Sequence, residues 1–194
     1  MPGLIPACQF VTTGLWIVFC VVWLIAAFGV KRNIVSRPVW CRLPVRVAVA
    51  AILLLVLARR MNDHLFLAGV AALLASPIIA VIGTVLCAAG IAIAVWARIV
   101  LGANWGMPIT LKQGHELVTT GPYAHVRHPI YSGVLLAMLG SALVISVLWA
   151  AVLLLNAAQF FYAARKEEKL MLKTFPTEYA DYMGRTKMII PFVM

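Results

Sequence analysis

The chain has 194 residues, of which 64% are hydrophobic and only 11% charged, with a formal net charge of +10 and a mean hydropathy of +1.01. That is more apolar surface than a water-soluble domain of this size can bury, so lipid is the expected solvent and a soluble globular enzyme is excluded. The positive balance does not point to nucleic acid, because no segment interleaves aromatic residues with Lys and Arg as a strand-binding surface would.

The first uncharged stretch runs from residue 1 to 30, and its last 21 residues, 10–30, suffice at about 1.5 Å per residue to cross a hydrocarbon core of roughly 30 Å. No Lys or Arg precedes Lys31, the reverse of a signal peptide's charge pattern, so this is expected to be a retained first span. A basic stretch follows (Lys31, Arg32, Arg37, Arg42, Arg46), and then a short second span at about 43–60 whose terminal arginines snorkel. The segment 64–75 is too short to cross and is expected as a loop helix or a partly inserted piece. Pro77 opens a third span at about 77–98.

Residues 129–164 form 36 consecutive uncharged positions, too long for one span and too apolar for water. Two short helices folded back as a hairpin are expected, at about 130–145 and 147–164, with the turn between Gly140 and Ser146. Asn156 and Gln159 on the second arm should face protein rather than lipid. The expected fold class is therefore an all-α integral membrane protein of about five transmembrane helices, the last two a hairpin. Placing the N-terminus outside puts 14 of the 16 Lys and Arg on the inner side, which orients the loop and the C-terminus toward the cytoplasm. The charge also favours contact with anionic membrane lipid.

Polar chemistry is concentrated in the loop 101–131 and the tail 165–194, which meet on one face in this topology. Any membrane protein keeps polar groups outside the bilayer, but the loop exceeds the usual length of a structureless connection, and its glycines and prolines break any single helix. His115 and Glu116 do not make a zinc-protease HExxH motif, because Thr119 stands where the second histidine is required. His125 and His128 have no cysteine or carboxylate pair at ligand spacing in the loop, and no metal is expected. The cysteines Cys8, Cys20, Cys41 and Cys87 stand singly and read as packing residues. In the tail, Glu167 and Glu168 open the run RKEEKLMLKTF directly after the last span. Pro176 starts a second short helix that Gly184 ends, with Tyr179 and Tyr182 on one side. Surface glutamates at the start of a helix are the plainer account of that pair.

The stretches GANW (102–105), HELVTTGPYAHVRHPIYSG (115–133) and EEKLMLKTFPTEYADYMGRTKMIIP (167–191) resemble the isoprenylcysteine carboxyl methyltransferase family and its phospholipid methyltransferase relatives. The resemblance covers the half from about Pro77, dividing the chain into N-terminal spans (1–76) and a methyltransferase-like region (77–194). It implies a membrane methyltransferase that uses S-adenosyl-L-methionine on a lipophilic small-molecule or prenylcysteine acceptor. The cofactor contacts it implies are His115, Glu116, Leu117, Val118, Tyr123, His128, Pro129, Ile130, Tyr131, Glu167 and Glu168. Arg127 and His128 are the implied catalytic candidates, and Trp105 and Arg165 the implied substrate contacts. Two carboxylates in a partly dry site suit the cofactor's sulfonium and ammonium charges. One position departs from the pattern. Where prenylcysteine enzymes carry an arginine four residues before the first glutamate, this chain has Ala163, leaving Arg127 or Arg165 as substitutes. An alternative acceptor, an amine or a thiol, would need a base, for which His125 and His128 are candidates. Membrane sterol reductases, which would bind NADPH, resemble the chain at Arg127–Gly133 and the C-terminal stretch, but the glutamate pair and the small size favour methyl transfer. A non-enzymatic membrane sensor keeping a cofactor pocket is the third class.

Overall fold

The structure is a computed structural model that describes residues 3–28, 33–35, 76–106, 111–114, 116–146 and 148–190. The expected span 43–60, the segment 64–75 and His115 lie outside the described residues. Five α-helices are described: α1 (Leu4–Ala27), α2 (Pro77–Leu101), α3 (Pro129–Val144), α4 (Leu148–Thr174) and α5 (Pro176–Arg185). A two-stranded antiparallel ladder of backbone, β1 (Asn33–Val35) with β2 (Leu111–Lys112), adds to the all-helical expectation. Among the described residues, α1 and α2 are long and apolar enough to cross a membrane.

The centre of the fold is the pairing of α2 with α3. Gly83 and Gly90 on α2 face Gly140 and Gly133 on α3, seven residues apart on both helices. A Cβ added at Gly90 would stand 2.4 Å from the Ala137 nitrogen and the Gly133 oxygen. In lipid, where burial of apolar surface gains little, such backbone-to-backbone approach and its dispersion contacts replace the hydrophobic drive. α1 lays one stripe across this pair, with residues recurring at three- and four-residue spacing. Gln9 donates to the Val144 carbonyl at 3.1 Å, Thr12 meets Thr84 at 3.4 Å, and the Trp16 indole donates to Ser141 at 2.9 Å. The opposite side of α1, with Phe10, Ile17, Leu24 and Ile25, is exposed, as lipid-facing residues of a span are.

The hairpin turn falls at the late end of its expected range, with α3 ending at Val144 and α4 beginning at Leu148. The second arm differs from expectation in length. α4 is one continuous helix of 27 residues that runs from the apolar stretch through Arg165–Lys173 without a break. Glu167 and Glu168 therefore sit deep in a long helix rather than at the start of a new one, which removes the helix-dipole account of why they are there. The physical reason is propensity: Ala163 to Lys173 contains only good helix formers, with no Gly or Pro to stop it. Pro176 opens α5 as its fixed φ favours.

Candidate functional site

The loop after α2 is held against its end by a short 3-10 turn, Gly121–Ala124, in which Gly121 has φ 61° and packs over Val100 and Trp96. This left-handed position suits glycine, and it directs Pro122 and Tyr123 inward. From there the chain passes Arg127 and His128 into the first turn of α3 at Pro129, so that Tyr131 sits one turn inside the helix.

On the other side, α4 brings Glu167 and Glu168 to the same place. Arg127 Nε lies 2.5 Å from Glu168 Oε1, and both side chains are buried. His128 bridges the two acids, with Nδ1 3.4 Å from Glu167 and Nε2 3.6 Å from Glu168. The Tyr131 hydroxyl donates to Glu167 Oε1 at 2.8 Å. The rings of His128, Tyr131 and Phe160 stack in sequence, with centroids 5.4 and 4.5 Å apart. No motif marks Phe160; its spacing of seven residues before Glu167, about two helical turns, puts it on the same side of the helix.

The third wall is the segment after α5. Its backbone runs beside the loop as a strap. The Arg127 amide donates to the Lys187 carbonyl at 2.8 Å, the His128 amide to the Met188 carbonyl at 3.0 Å, and the Lys187 amide to the His125 carbonyl at 3.3 Å. Ser132 Oγ donates to the Ile189 carbonyl, and Arg127 Nη1 to those of Thr186 and Met183. Tyr179 and Tyr182 share the buried side of α5 in edge-to-face contact, as their spacing predicts, and the Tyr182 hydroxyl donates to the Tyr123 carbonyl at 2.7 Å. The strap contributes through carbonyl groups, which no residue pattern reveals.

Charge in this cluster is tuned by mutual contact. Burial by itself pushes the His128 imidazole down, but the carboxylates of Glu167 and Glu168 outweigh it and hold its pKa above the ordinary histidine value. Burial pushes the Glu168 carboxyl up, yet His128 and Arg127 together hold it below the usual carboxylate range. Burial raises the phenols of Tyr123, Tyr179 and Tyr182, the last to about 12 against the opposing charge of Arg127, so all three are neutral hydrogen-bonding groups at physiological pH.

The structure thus brings Tyr123, Arg127, His128, Tyr131, Glu167 and Glu168 together, with Pro129 buried beneath them and Ile130 beside them on α3. Other sequence candidates stand apart. Glu116 and His125 are exposed and enter no ion pair of the cluster, and Leu117 and Val118 are half-buried in irregular backbone. Arg165 is exposed, with its guanidinium over the Phe161 ring. Trp105 belongs to a separate group at the ends of α1 and α2. Its ring lies under the Arg98 guanidinium and meets Trp23 edge-on, while Arg98 binds the carbonyls of Gly102 and Ala26. Ala163 is buried and places no charge on the α4 face one turn before Glu167. No group of three or more metal-ligating side chains occurs among the described residues.

Comparison with known proteins adds an independent view of this region. Residues 81–173 match the model of the isoprenylcysteine carboxyl methyltransferase (ICMT) family. Over 94 residues, 47% of this chain, the sequence is 37% identical to the nickel-cobalt-cadmium resistance protein NccN of Alcaligenes xylosoxydans xylosoxydans, covering 44% of that protein. It is 32% identical over 87 residues to protein-S-isoprenylcysteine O-methyltransferase B of Arabidopsis thaliana, covering 44% of each chain. The matched stretch spans under half the length of these relatives. The fold is similar to that of a eukaryotic intramembrane Ras methyltransferase ICMT, with a TM-score of 0.57 at 21% identity over 82% of this chain and 55% of that one. At that identity the likeness speaks for the fold alone.

Proposed function

Taking residues 81–173 as a segment of the isoprenylcysteine carboxyl methyltransferase family, we propose that the chain is an integral membrane methyltransferase that uses S-adenosyl-L-methionine on a small lipophilic acceptor. The observation that carries this reading is the adjacent acid pair Glu167 and Glu168, buried to different degrees beside His128, Tyr131 and Arg127 at the end of a helix hairpin. A carboxylate pair next to stacked rings, in a bundle that presents its long apolar faces to lipid, suits a cationic donor met by a membrane-borne acceptor.

The residues present fit the donor. His128 Nε2 is buried 3.6 Å from Glu168 Oε1, beyond a good hydrogen bond, and Glu167 keeps 23% of its side chain exposed, so the acid pair retains an open edge. Glu167 would meet the positive end of the donor, the Tyr131 and Tyr123 side chains would flank it, and the strap over 186–189 would keep water out. The donor, when bound, supplies a methyl group on an already activated sulfonium. Alignment is then the main contribution left to the protein, worth up to about 7–11 kcal/mol in favourable systems. Ala163 is buried and uncharged, so a carboxylate acceptor would need its cation from another position of the chain. An orientation with the site on the cytoplasmic face follows from the charge bias of the chain.

Incubation of the purified protein with methyl-labelled S-adenosylmethionine and a total membrane lipid extract tests the proposal, with transfer of label to an extractable product expected. A thermal shift with NADPH and none with S-adenosylhomocysteine would replace it with the reductase reading.

A further inference from the structure

Glu167 and Glu168 are neighbours in sequence, and as donor-binding groups they look interchangeable. Their surroundings are not. Glu168 is 6% exposed and its Oε1 is engaged by Arg127 Nε. The same guanidinium uses Nη1 to reach the carbonyls of Thr186 and Met183, and the Arg127 backbone amide is tied to Lys187. One side chain thus connects α4 to the strap and to the end of α5. A buried carboxylate with a guanidinium partner is expensive to separate, since removing one member leaves an uncompensated charge. The partners of Glu167 include the neutral hydroxyl of Tyr131 and one imidazole nitrogen of His128, and it keeps the larger exposed fraction.

We propose that the two acids divide the work: Glu167 is the carboxylate that receives the positive charge of the methyl donor, while Glu168 is the anchor of a latch in which Arg127 is a positioning residue. This rests on the methyltransferase reading for the identity of the ligand, but the latch itself does not. Arg127 in this arrangement touches neither donor nor acceptor. It sets the strap over the pocket and, through Glu168, fixes the rotation of α4 that presents Glu167. Glu178 and Asp181 on α5 are exposed and enter no ion pair among the described residues, so they do not compete for the guanidinium. Tyr179 and Tyr182, the buried titratable groups of α5, are neutral there.

The test compares Glu167→Gln, Glu168→Gln and Arg127→Lys in the full-length protein in detergent, with two readouts. One is hydrogen exchange of the amides over 125–132 and 186–190; the other is calorimetric binding of S-adenosylhomocysteine, which carries the ammonium of the donor's methionine arm. The expected pattern is a loss of S-adenosylhomocysteine affinity of tenfold or more for Glu167→Gln with strap protection unchanged. Glu168→Gln is expected to raise strap exchange tenfold or more, and Arg127→Lys, which keeps the charge but loses the fork, to raise it by less. In both of these the weakened binding should follow the loss of protection. Equal losses of affinity in the two glutamine variants with the strap fully protected in both would overturn the division, as would wild-type protection in Arg127→Lys and Glu168→Gln together. If the wild type binds no S-adenosylhomocysteine at all, the donor assignment fails while the exchange arm still decides the latch. Should Glu168→Gln not fold, Arg127→Lys and Glu168→Asp carry the same comparison.

Discussion

The α2–α3 pair and the site built around Arg127 solve the same problem, holding two elements together in or beside lipid, by opposite means. Between α2 and α3 the side chains are nearly absent at the contact, and carbonyl and amide groups of one helix lie against glycines of the other. At the site the elements are kept apart by long side chains and joined through a guanidinium, an imidazole, two carboxylates and a phenol. In the first contact a gap of roughly 0.5–1 Å would forfeit about a quarter to a half of each dispersion contact. The second can exchange partners, which a pocket admitting a charged ligand requires. Rigidity is therefore supplied by the hairpin and adaptability by the polar cluster, and the strap couples the two through Ser132 on α3 and Arg127 in the loop.

That contrast is most directly broken at Gly90. Gly90→Leu places atoms where the Ala137 and Gly133 backbones already stand, and is expected to cost at least about 3 kcal/mol and to abolish a monodisperse folded species on size exclusion. Survival of that variant with an unchanged melting temperature would mean the hairpin is not the rigid half.

The polar half should respond to pH where the hairpin does not. Because the native Glu168 pKa is depressed, its stabilisation is present above the ordinary carboxylate value near ~4.3 and is lost as pH falls through the native value. The native His128 pKa is raised, so its stabilisation is full below the ordinary value near ~6.5 and is lost as pH rises through the native value. The stability maximum is therefore expected between about pH 4.3 and 6.5, with Glu168→Gln flattening the acid limb and His128→Asn the alkaline limb of a melting profile. Ligand binding should run the other way. A cation entering beside Glu167 competes with the His128 proton, so S-adenosylhomocysteine affinity rises with pH through the His128 titration, by at most about tenfold per pH unit for one coupled proton. Calorimetry in buffers of different ionisation enthalpy reads the released proton.

Smaller effects are expected at single residues of α4 and α5. Asn156 donates to the Val152 carbonyl of its own helix, whereas Gln159 keeps a buried oxygen with no donor among the described residues. Gln159→Leu is accordingly expected to raise stability by about 1 kcal/mol in a thermal melt. Gly184, in α5, has nothing within 4 Å of an added Cβ, so Gly184→Ala should stabilise by roughly 0.5–1 kcal/mol through helix propensity, opposite in sign to the hairpin glycines.

Much of this was legible beforehand. The uncharged runs marked α1, α2 and the hairpin because a span needs only length and apolarity, and Pro77, Pro129 and Pro176 each open a helix where their fixed backbone angle favours it. The hairpin followed from the length of the uncharged run, which left its turn open between Gly140 and Ser146, and the shared face of Tyr179 and Tyr182 followed from spacing. The continuous run of α4 through Arg165–Lys173 was less legible, because a change from apolar to charged residues resembles a boundary although helix propensity does not change there. The site was read at the level of residue type: acids in the tail, histidines and tyrosine in the loop. Nothing local distinguished Glu167 from Glu168, or His128 from the exposed His125.

What the sequence by itself determined is the presence and order of its described helices and the segments in which its polar residues collect, all consequences of composition and periodicity over tens of residues. Only the tertiary structure decided that Arg127 would be spent on Glu168, 41 positions away, and on carbonyls of the strap. The reason is physical: every residue but proline offers the same backbone amide, and every residue the same carbonyl, so which of them a side chain meets is settled by how the helices pack, not by any residue's identity.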